Sequence, residues 1–410
     1  MSDQDDGPVI TSGGLDVGHV AHRTPKNVVV SDTVLLWYDD FHTPLRLLRS
    51  ALGDALVLVV DIGGDASGPD LDSGWRVHRV NERDRFCHTY LLRAILANAV
   101  YQGGYLLSAA LSRPLLAETT IATARAVSAT RVVHGFAGND QVRFEMAIHA
   151  LAPELVVVPV AALLGSQNTR NHEGYTLSEN LWGRSIEAGP LADPAIRPPA
   201  EVFRRCGSPT MPTPPATEHR LSFRAGRPVA VDGVPMRLPA LLERVEALAA
   251  PFGVGFSDCV EDGYVGLKTR VVYEAPGATV LVAAHRDIER LVSSRRQNDV
   301  TALVDQAWTN LVYDGGWFDP LRVSLEAYIN DVNRWATGEV TLLFRAGTVQ
   351  PVARSSAYAL YDEKAAVYRV GQDIAVGTGG LAAALSAPMT AAVRRGDTCA
   401  EPEVVSSWNA

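Results

Sequence analysis

The densest group of residues able to do chemistry is HGFAGNDQVRFE at 134–145. Gly135 and Gly138 let backbone approach a ligand closely, Asn139 and Asp140 can hold an amino group or an amide, and Arg143 can grip a carboxylate through two parallel hydrogen bonds. The same letters also describe an N-cap at Asn139 or Asp140 followed by a surface arginine. Pattern alone leaves both readings open. A second polar group, YTLSENLWGRSIEAG at 175–189, holds Trp182, and a third joins Glu261 to Tyr273 across VEDGYVGLKTRVVYEAPGAT. Taken singly, Glu261 reads as a solvated carboxylate and Tyr273 as a half-buried strand aromatic. His42, His134 and His285 lie far apart without i, i+4 pairing, which disfavours a metal site beyond Mg²⁺ brought by a nucleotide. Cys87, Cys206, Cys259 and Cys399 have no C-x-x-C spacing, so neither a zinc knot nor a disulfide framework is written here, and Cys87 and Cys259 read as packed thiols. No G-x-S-x-G, Walker or dinucleotide fingerprint occurs.

The elements around these groups alternate. VLLWY at 34–38 and ALVLVVDIGG at 55–64 flank a helical pattern carried by Leu45, Leu47, Leu48 and Leu52. The second run is apolar on successive residues, as expected of a parallel strand covered on both faces. Helical patterns at about 86–101, 113–128 and 141–150, with strands at 131–135 and 154–160, continue an α/β domain over 33–165 after an N-terminal extension, 1–32. The cluster at 134–145 then follows a strand and opens a helix, where parallel sheets meet ligands. Pro and Gly thicken between 189 and 216, a connecting arm. A hairpin with a D-G turn at 221–234, a helix from 238, and a strand, loop and helix over 265–292 make 166–375 an α+β domain. Residues 376–410 form an Ala- and Gly-rich arm or tail with a short helix around 380–394.

Composition bounds the function classes. The chain has 410 residues, 47% hydrophobic and 20% charged, with a formal charge of −9 spread along its length, which fits two to three globular domains. An acidic balance disfavours nucleic acid as a partner. No run approaches about 18 apolar residues, and the start, MSDQDDGPV, is acidic where a secretory signal is basic and then apolar. A cytoplasmic protein away from membranes is the expectation.

GNDQVRFE, NLWGRSIE, VEDGYVGLKTRVVYEAPGATVLVAAHRDIE, LVYDGGWFDPLR and YALYDE resemble, in order and over about 34–363, the argininosuccinate synthase family. The resemblance implies a nucleotide-binding α/β domain of the ATP-pyrophosphatase (HUP) type, an α+β synthetase domain, and a homotetramer locked by C-terminal arms. It implies C–N ligation in which ATP, with Mg²⁺, adenylates the ureido oxygen of citrulline before the aspartate amine attacks. On the family's motifs Tyr105, Arg143, Ser185, Glu261 and Tyr273 fall where citrulline is held, Thr176 where a citrulline serine stands, and Asn139 and Asp140 where aspartate and the ureido group are oriented. Ala110 stands where the family has another citrulline serine.

The nucleotide half departs from the pattern. The family's first strand ends in A-Y-S-G-G-L-D-T-S, whereas WYDDFHTP stands at 37–44, without glycines and with Asp39 and Asp40 near a phosphate position. Like charges at about 4 Å repel by about 1–4 kcal/mol between water and a protein surface. Phe41 adds a ring where bare backbone is needed. The family's HG-[AC]-T-G-K-G-N-D is shortened here to HGFAGND. Ser12, Gly13, Gly14 and Asp16 spell the missing loop, with Leu15, about 25 residues too early, and read either as a flexible tail or as a displaced nucleotide loop. The expectation is a divergent C–N ligase of specialised metabolism acting on a ureido or guanidino amino acid and an amino dicarboxylate, with ordinary ATP use in question. The alternatives are an amino-acid-binding paralogue or assembly subunit without catalysis, and an enzyme that takes a pre-activated substrate.

Overall fold

Five short strands lie parallel in the order β3-β2-β1-β4-β5 in a computed structural model that describes residues 31–38, 45–64, 74–164, 174–207, 212–361 and 378–398. They are β1 (Thr33–Trp37), β2 (Leu56–Asp61), β3 (Arg76–Asn81), β4 (Arg131–His134) and β5 (Val156–Pro159). Both faces are covered, as the apolar runs require. Leu36, Leu58 and Val132 enter the main core with Leu115 and Leu281, while Leu35, Val57 and Val133 pack on the other side with Leu48, Leu52 and Val160. The helices of this part are α1 (Leu45–Leu52), α2 (Arg83–Arg85) running through the π-helical Phe86–Leu91 into α3 (Leu92–Leu96), α4 (Ser108–Val127), α5 (Gly138–Leu151) and α6 (Val160–Leu164).

Several boundaries differ from the sequence pattern. The helix expected at 86–101 stops at Leu96 because Asn98 (φ 44°), Gln102 (φ 45°) and Gly103 (φ 79°) take left-handed backbone, which no α-helix continues through. The helix expected from 113 begins at Ser108. The Tyr105 hydroxyl accepts hydrogen bonds from the N–H groups of Ala109 (2.9 Å) and Ala110 (3.1 Å) and starts the helix earlier. The helix after β4 likewise begins at Gly138, ahead of the expected 141, and β5 gives way to α6 at Val160.

A four-stranded antiparallel sheet, ordered β11-β12-β7-β6, is built from β6 (Thr176–Asn180), β7 (Gly183–Glu187), β11 (Phe256–Asp262) and β12 (Lys268–Glu274). It is tied to the parallel sheet along one seam: Leu181 N–H donates to Ile62 O (3.0 Å), the Asn180 amide to Ser108 O (2.9 Å) and Trp182 Nε1 to Leu106 O (2.6 Å). Gly63 is required there, since a Cβ would lie 2.3 Å from Leu181 Cγ. A second five-stranded sheet, ordered β10-β9-β8-β13-β14, comprises β8 (Thr217–Arg224), β9 (Arg227–Val231), β10 (Val234–Pro235), β13 (Gly338–Arg345) and β14 (Thr348–Ser355). Its first hairpin turns at Ala225 (φ 47°) and Gly226 (φ 76°), and the expected D-G turn at Asp232-Gly233 makes the next one, into β10. Helices α7 (Leu238–Ala249), α8 (Pro276–Val292), α9 (Arg295–Tyr313) and α10 (Pro320–Asn333) complete this part. A C-terminal helix, Thr378–Thr398, runs beyond both ends of the expected one and is held by Arg395, which donates to Val292 O (2.7 Å) and Tyr358 O (3.0 Å) over the Trp335 ring. Among the described residues no helix is long and apolar enough to cross a membrane.

Candidate functional site

Antiparallel register places a row of polar side chains on one face of the four-stranded sheet. Ser257 pairs with Tyr273, Tyr273 with Ser185, and Ser185 with Ser178. Directly paired residues share a face, and residues two apart along a strand return to it, so Thr176 and Glu261 lie on that face too. The opposite face, with Ile186 and Val272, closes a separate apolar cluster. Thr176, Ser185, Glu261 and Tyr273, far apart in sequence, are thus one floor.

The floor is roofed by aromatic rings and by α4, α5 and α9. Tyr105 stacks on Tyr273 (centroids 4.6 Å apart), and Tyr313, at the end of α9, meets Tyr105 edge-on (6.1 Å) and stacks on Tyr101. Glu261 accepts from the hydroxyls of Tyr273 (2.8 Å) and Tyr313 (3.1 Å), the latter shared with Asp262 O (2.9 Å). Burial raises the Glu261 carboxyl above its ordinary value, and the two hydroxyls and the Arg143 charge oppose that rise.

Asp140 sits between two buried guanidinium groups. Its Oδ1 accepts from Arg143 Nη1 and its Oδ2 from Arg113 Nη2, both at 2.8 Å. Burial pushes Asp140 upward, but the two cations outweigh it and leave the carboxyl below its ordinary value. Arg143 also donates through Nε to Tyr313 O (2.6 Å) and lies 4.5 Å above the Tyr313 ring, and Arg113 reaches Ser178 Oγ (3.3 Å). Arg143 Nη2 and Arg113 Nε are buried, and among the described residues neither finds an acceptor. Asn139 closes the edge, accepting from Tyr264 N–H (3.1 Å) and donating to the Tyr313 hydroxyl (3.4 Å).

At the ends of the parallel strands, the Phe136 N–H donates to His134 Nδ1 (3.2 Å), which fixes the ring proton on Nε2, facing Glu145 Oε1 (3.1 Å). Burial pushes His134 down to about 4, against the pull of Glu145, so the ring is neutral near pH 7. Gly135 and Gly138 lie in the loop between β4 and α5, Gly138 at φ 57° with open space around it. Ser12, Gly13, Gly14 and Asp16 lie outside the described residues, as does 39–44.

Structure therefore brings together Tyr105, Asn139, Asp140, Arg143, Glu261 and Tyr273, with Thr176 and Ser185 on the floor beside them. Ala110 contributes only its N–H, to the Tyr105 hydroxyl. Sequence reasoning missed Arg113, Ser178, Tyr101 and Tyr313; the signal for Tyr313 was present in LVYDGGWFDPLR, and that for Ser178 was the period of two from Thr176. Of the thiols, Cys87 is fully buried and pushed up to about 12 by burial and by Asp84 and Glu243. Cys259 is half-buried, with Sγ 2.8 Å from Ser257 Oγ.

Sequence models for the arginosuccinate synthase N-terminal HUP domain and C-terminal domain match residues 60–177 and 175–386. The argininosuccinate synthase of Pyrococcus furiosus is 36% identical over 346 residues, 79% of this chain and 84% of that protein. Those of Rubrobacter xylanophilus (39% over 303 residues, 70% and 74%) and Dehalococcoides mccartyi (35% over 370 residues, 83% and 91%) are similar to a like degree. Two matched domains and relatives aligned over most of both lengths make the chain a member of the argininosuccinate synthase family.

Proposed function

We propose that this chain binds a ureido or guanidino amino acid on the floor of the four-stranded sheet and an amino dicarboxylate such as aspartate beside it, as a divergent C–N ligase of specialised metabolism. The observation that carries the reading is the pair of buried, unpaired donors, Arg143 Nη2 and Arg113 Nε, above a floor of hydroxyls and a carboxylate. Buried N–H groups without an acceptor are costly unless a ligand supplies one. A carboxylate or ureido oxygen is that acceptor. In this reading Glu261, Tyr273 and Ser185 hold the amino-acid end, Arg143 a carboxylate, and Asn139 and Asp140 the incoming amine. Attack at the ureido carbon needs its oxygen turned into a leaving group; what these residues contribute is orientation and charge. A cytoplasmic homotetramer accompanies this reading, and sedimentation of the purified chain checks the assembly.

The test is to incubate the full chain with citrulline and aspartate, with and without Mg·ATP, and separately with argininosuccinate, following the amino acids by mass spectrometry and their binding by calorimetry. Formation or cleavage of the C–N adduct supports the ligase. No binding of any of these amino acids refutes the reading. A second reading, an amino-acid-binding paralogue without catalysis, is favoured by the aromatic packing at the ends of β1 and β4; saturable binding with no turnover under any condition selects it.

A further inference from the structure

Arg143 and Glu261 bring opposite charges to the candidate site from different elements, α5 and β11, and Tyr313 touches both. Tyr313 is the last residue of α9, where the final carbonyls of a helix lack an intrahelical donor and carry the negative end of its dipole. Arg143 Nε meets that need by donating to Tyr313 O (2.6 Å), and the guanidinium rests 4.5 Å from the centroid of the Tyr313 ring. The chain turns away at once through Gly315 (φ 84°), where a Cβ would lie 3.2 Å from Arg143 Cα. At the far end of the same side chain the hydroxyl lies 3.1 Å from Glu261 Oε1 and 2.9 Å from Asp262 O, and it accepts from the Asn139 amide (3.4 Å). Tyr101 stacks on the ring with centroids 3.6 Å apart and planes 9° from parallel, Tyr105 meets it edge-on, and Tyr313 is 1% exposed. A ring enclosed in this way has one orientation, so its carbonyl end and its hydroxyl end hold their partners at a fixed separation.

We propose that Tyr313 is a positioning residue that sets the spacing between the Arg143 guanidinium and the Glu261 carboxylate, and with it the fit of an amino-acid head group. Such a head group carries its carboxylate and its ammonium at a separation fixed by covalent geometry. Two opposite charges that receive it must be held at a matching separation before it arrives, or binding has to order them. Tyr313 does this with two different parts: ring and carbonyl for Arg143, hydroxyl for Glu261. The inference rests on the proposed function, because it gives these two charges to one amino-acid ligand.

Calorimetric titration of the full chain with citrulline, from neutral into acid pH, tests the role, with Tyr313→Phe beside the parent. That variant keeps the ring and the carbonyl and lacks only the hydroxyl. Its affinity at neutral pH is expected to fall about threefold to tenfold, and the acid limb of its affinity profile to move to higher pH. The hydroxyl bond favours the ionised Glu261 carboxylate, so its removal lets the carboxyl take up a proton earlier as pH falls. The other groups that face Glu261 are Tyr273 of β12, Tyr101 and Tyr105 of the turn before α4, and Arg143 and Asp140 of α5, all unaltered in the variant. Unchanged affinity, or a loss equal at every pH as a structural role alone would give, overturns the proposal. A folded Tyr313→Leu, which also lacks the ring beneath Arg143, is expected to bind more weakly than Tyr313→Phe, and equal affinities overturn the proposal as well. Urea midpoints of the parent, Tyr313→Phe, Glu261→Gln and the double variant need no ligand: the double loss is expected to fall short of the sum of the single losses, and additive losses overturn the proposal. A parent that binds no amino acid removes the proposed function by itself, and the midpoints still decide whether Tyr313 holds Glu261.

Discussion

Asp140→Asn is the substitution whose consequence follows most directly from the geometry. The carboxylate accepts one 2.8 Å hydrogen bond from each of two guanidinium groups, and those side chains are only 2% (Arg113) and 5% (Arg143) exposed. Asparagine retains one oxygen for one arginine and turns N–H donors toward the other. Two buried like charges then face each other without the anion between them. Removing one partner from a buried ion pair costs about 3–5 kcal/mol, a large share of the about 5–15 kcal/mol that holds an ordinary domain folded. Urea denaturation at neutral pH reads that loss as a lower midpoint. Arg113→Met in the same chain removes one stranded cation, so the double variant is expected to be more stable than Asp140→Asn alone. The sign with pH follows as well. Asp140 has a folded value below its ordinary 3.8, so its contribution is present above that value and is lost as pH falls through the folded one. Parent and Asp140→Asn stabilities should therefore converge in acid. A loss below about 1 kcal/mol, or a double variant whose loss equals the sum of the single losses, refutes the account of Asp140 as the anion that makes both arginines tolerable.

Three further expectations can be checked singly. Glu261→Gln leaves one acceptor for the two tyrosine hydroxyls and removes a charge from the floor, so amino-acid affinity by calorimetry should fall about tenfold or more; unchanged affinity would take Glu261 out of the site. Gly104→Ala brings a Cβ to 2.0 Å from Cys259 Sγ and 2.7 Å from Ser257 Oγ, an overpacking that costs about 1–3 kcal/mol and that Cys259→Ala should partly relieve in thermal melts. Glu289 and Asp305, both bonded to the Asn98 amide, are raised by burial to about 7 and about 8. Folded values above the ordinary 4.5 and 3.8 mean a contribution fully present below those ordinary values and lost as pH rises through 7 and 8. Urea midpoints should thus decline over that range, and Asp305→Asn should flatten the decline; a midpoint that rises with pH there contradicts the raised values.

The parallel sheet was legible because strands buried on both faces must be apolar at every position, and few other elements look like ALVLVVD. The polar cluster at 134–145 was legible because it follows such a strand. Arg113 was not. It lies inside a helix among leucines, in LSRPLLA, and nothing local says that its charge is buried, because the partner that permits burial is Asp140, 27 residues later. Ser178 escaped for the converse reason: a strand repeats its face every second residue, so Thr176 and Ser178 are equivalent by pattern, and only the reach of Arg113 separates them. The start of α4 was misplaced because no local pattern shows that a tyrosine hydroxyl, three residues before the helix, supplies the acceptor for the first N–H groups.

Charge balance bears on the amino-acid half of the ligand proposed for these residues. Arg113 and Arg143 bring two positive charges to the site, and Asp140 and Glu261 bring two negative ones when ionised. Burying an isolated charge is prohibitive, so a site that is already neutral accepts a ligand most readily when the ligand is neutral as well. A ureido amino acid is a zwitterion and meets that condition: its carboxylate can take the unpaired guanidinium N–H groups, while its ammonium can face a floor that holds Glu261.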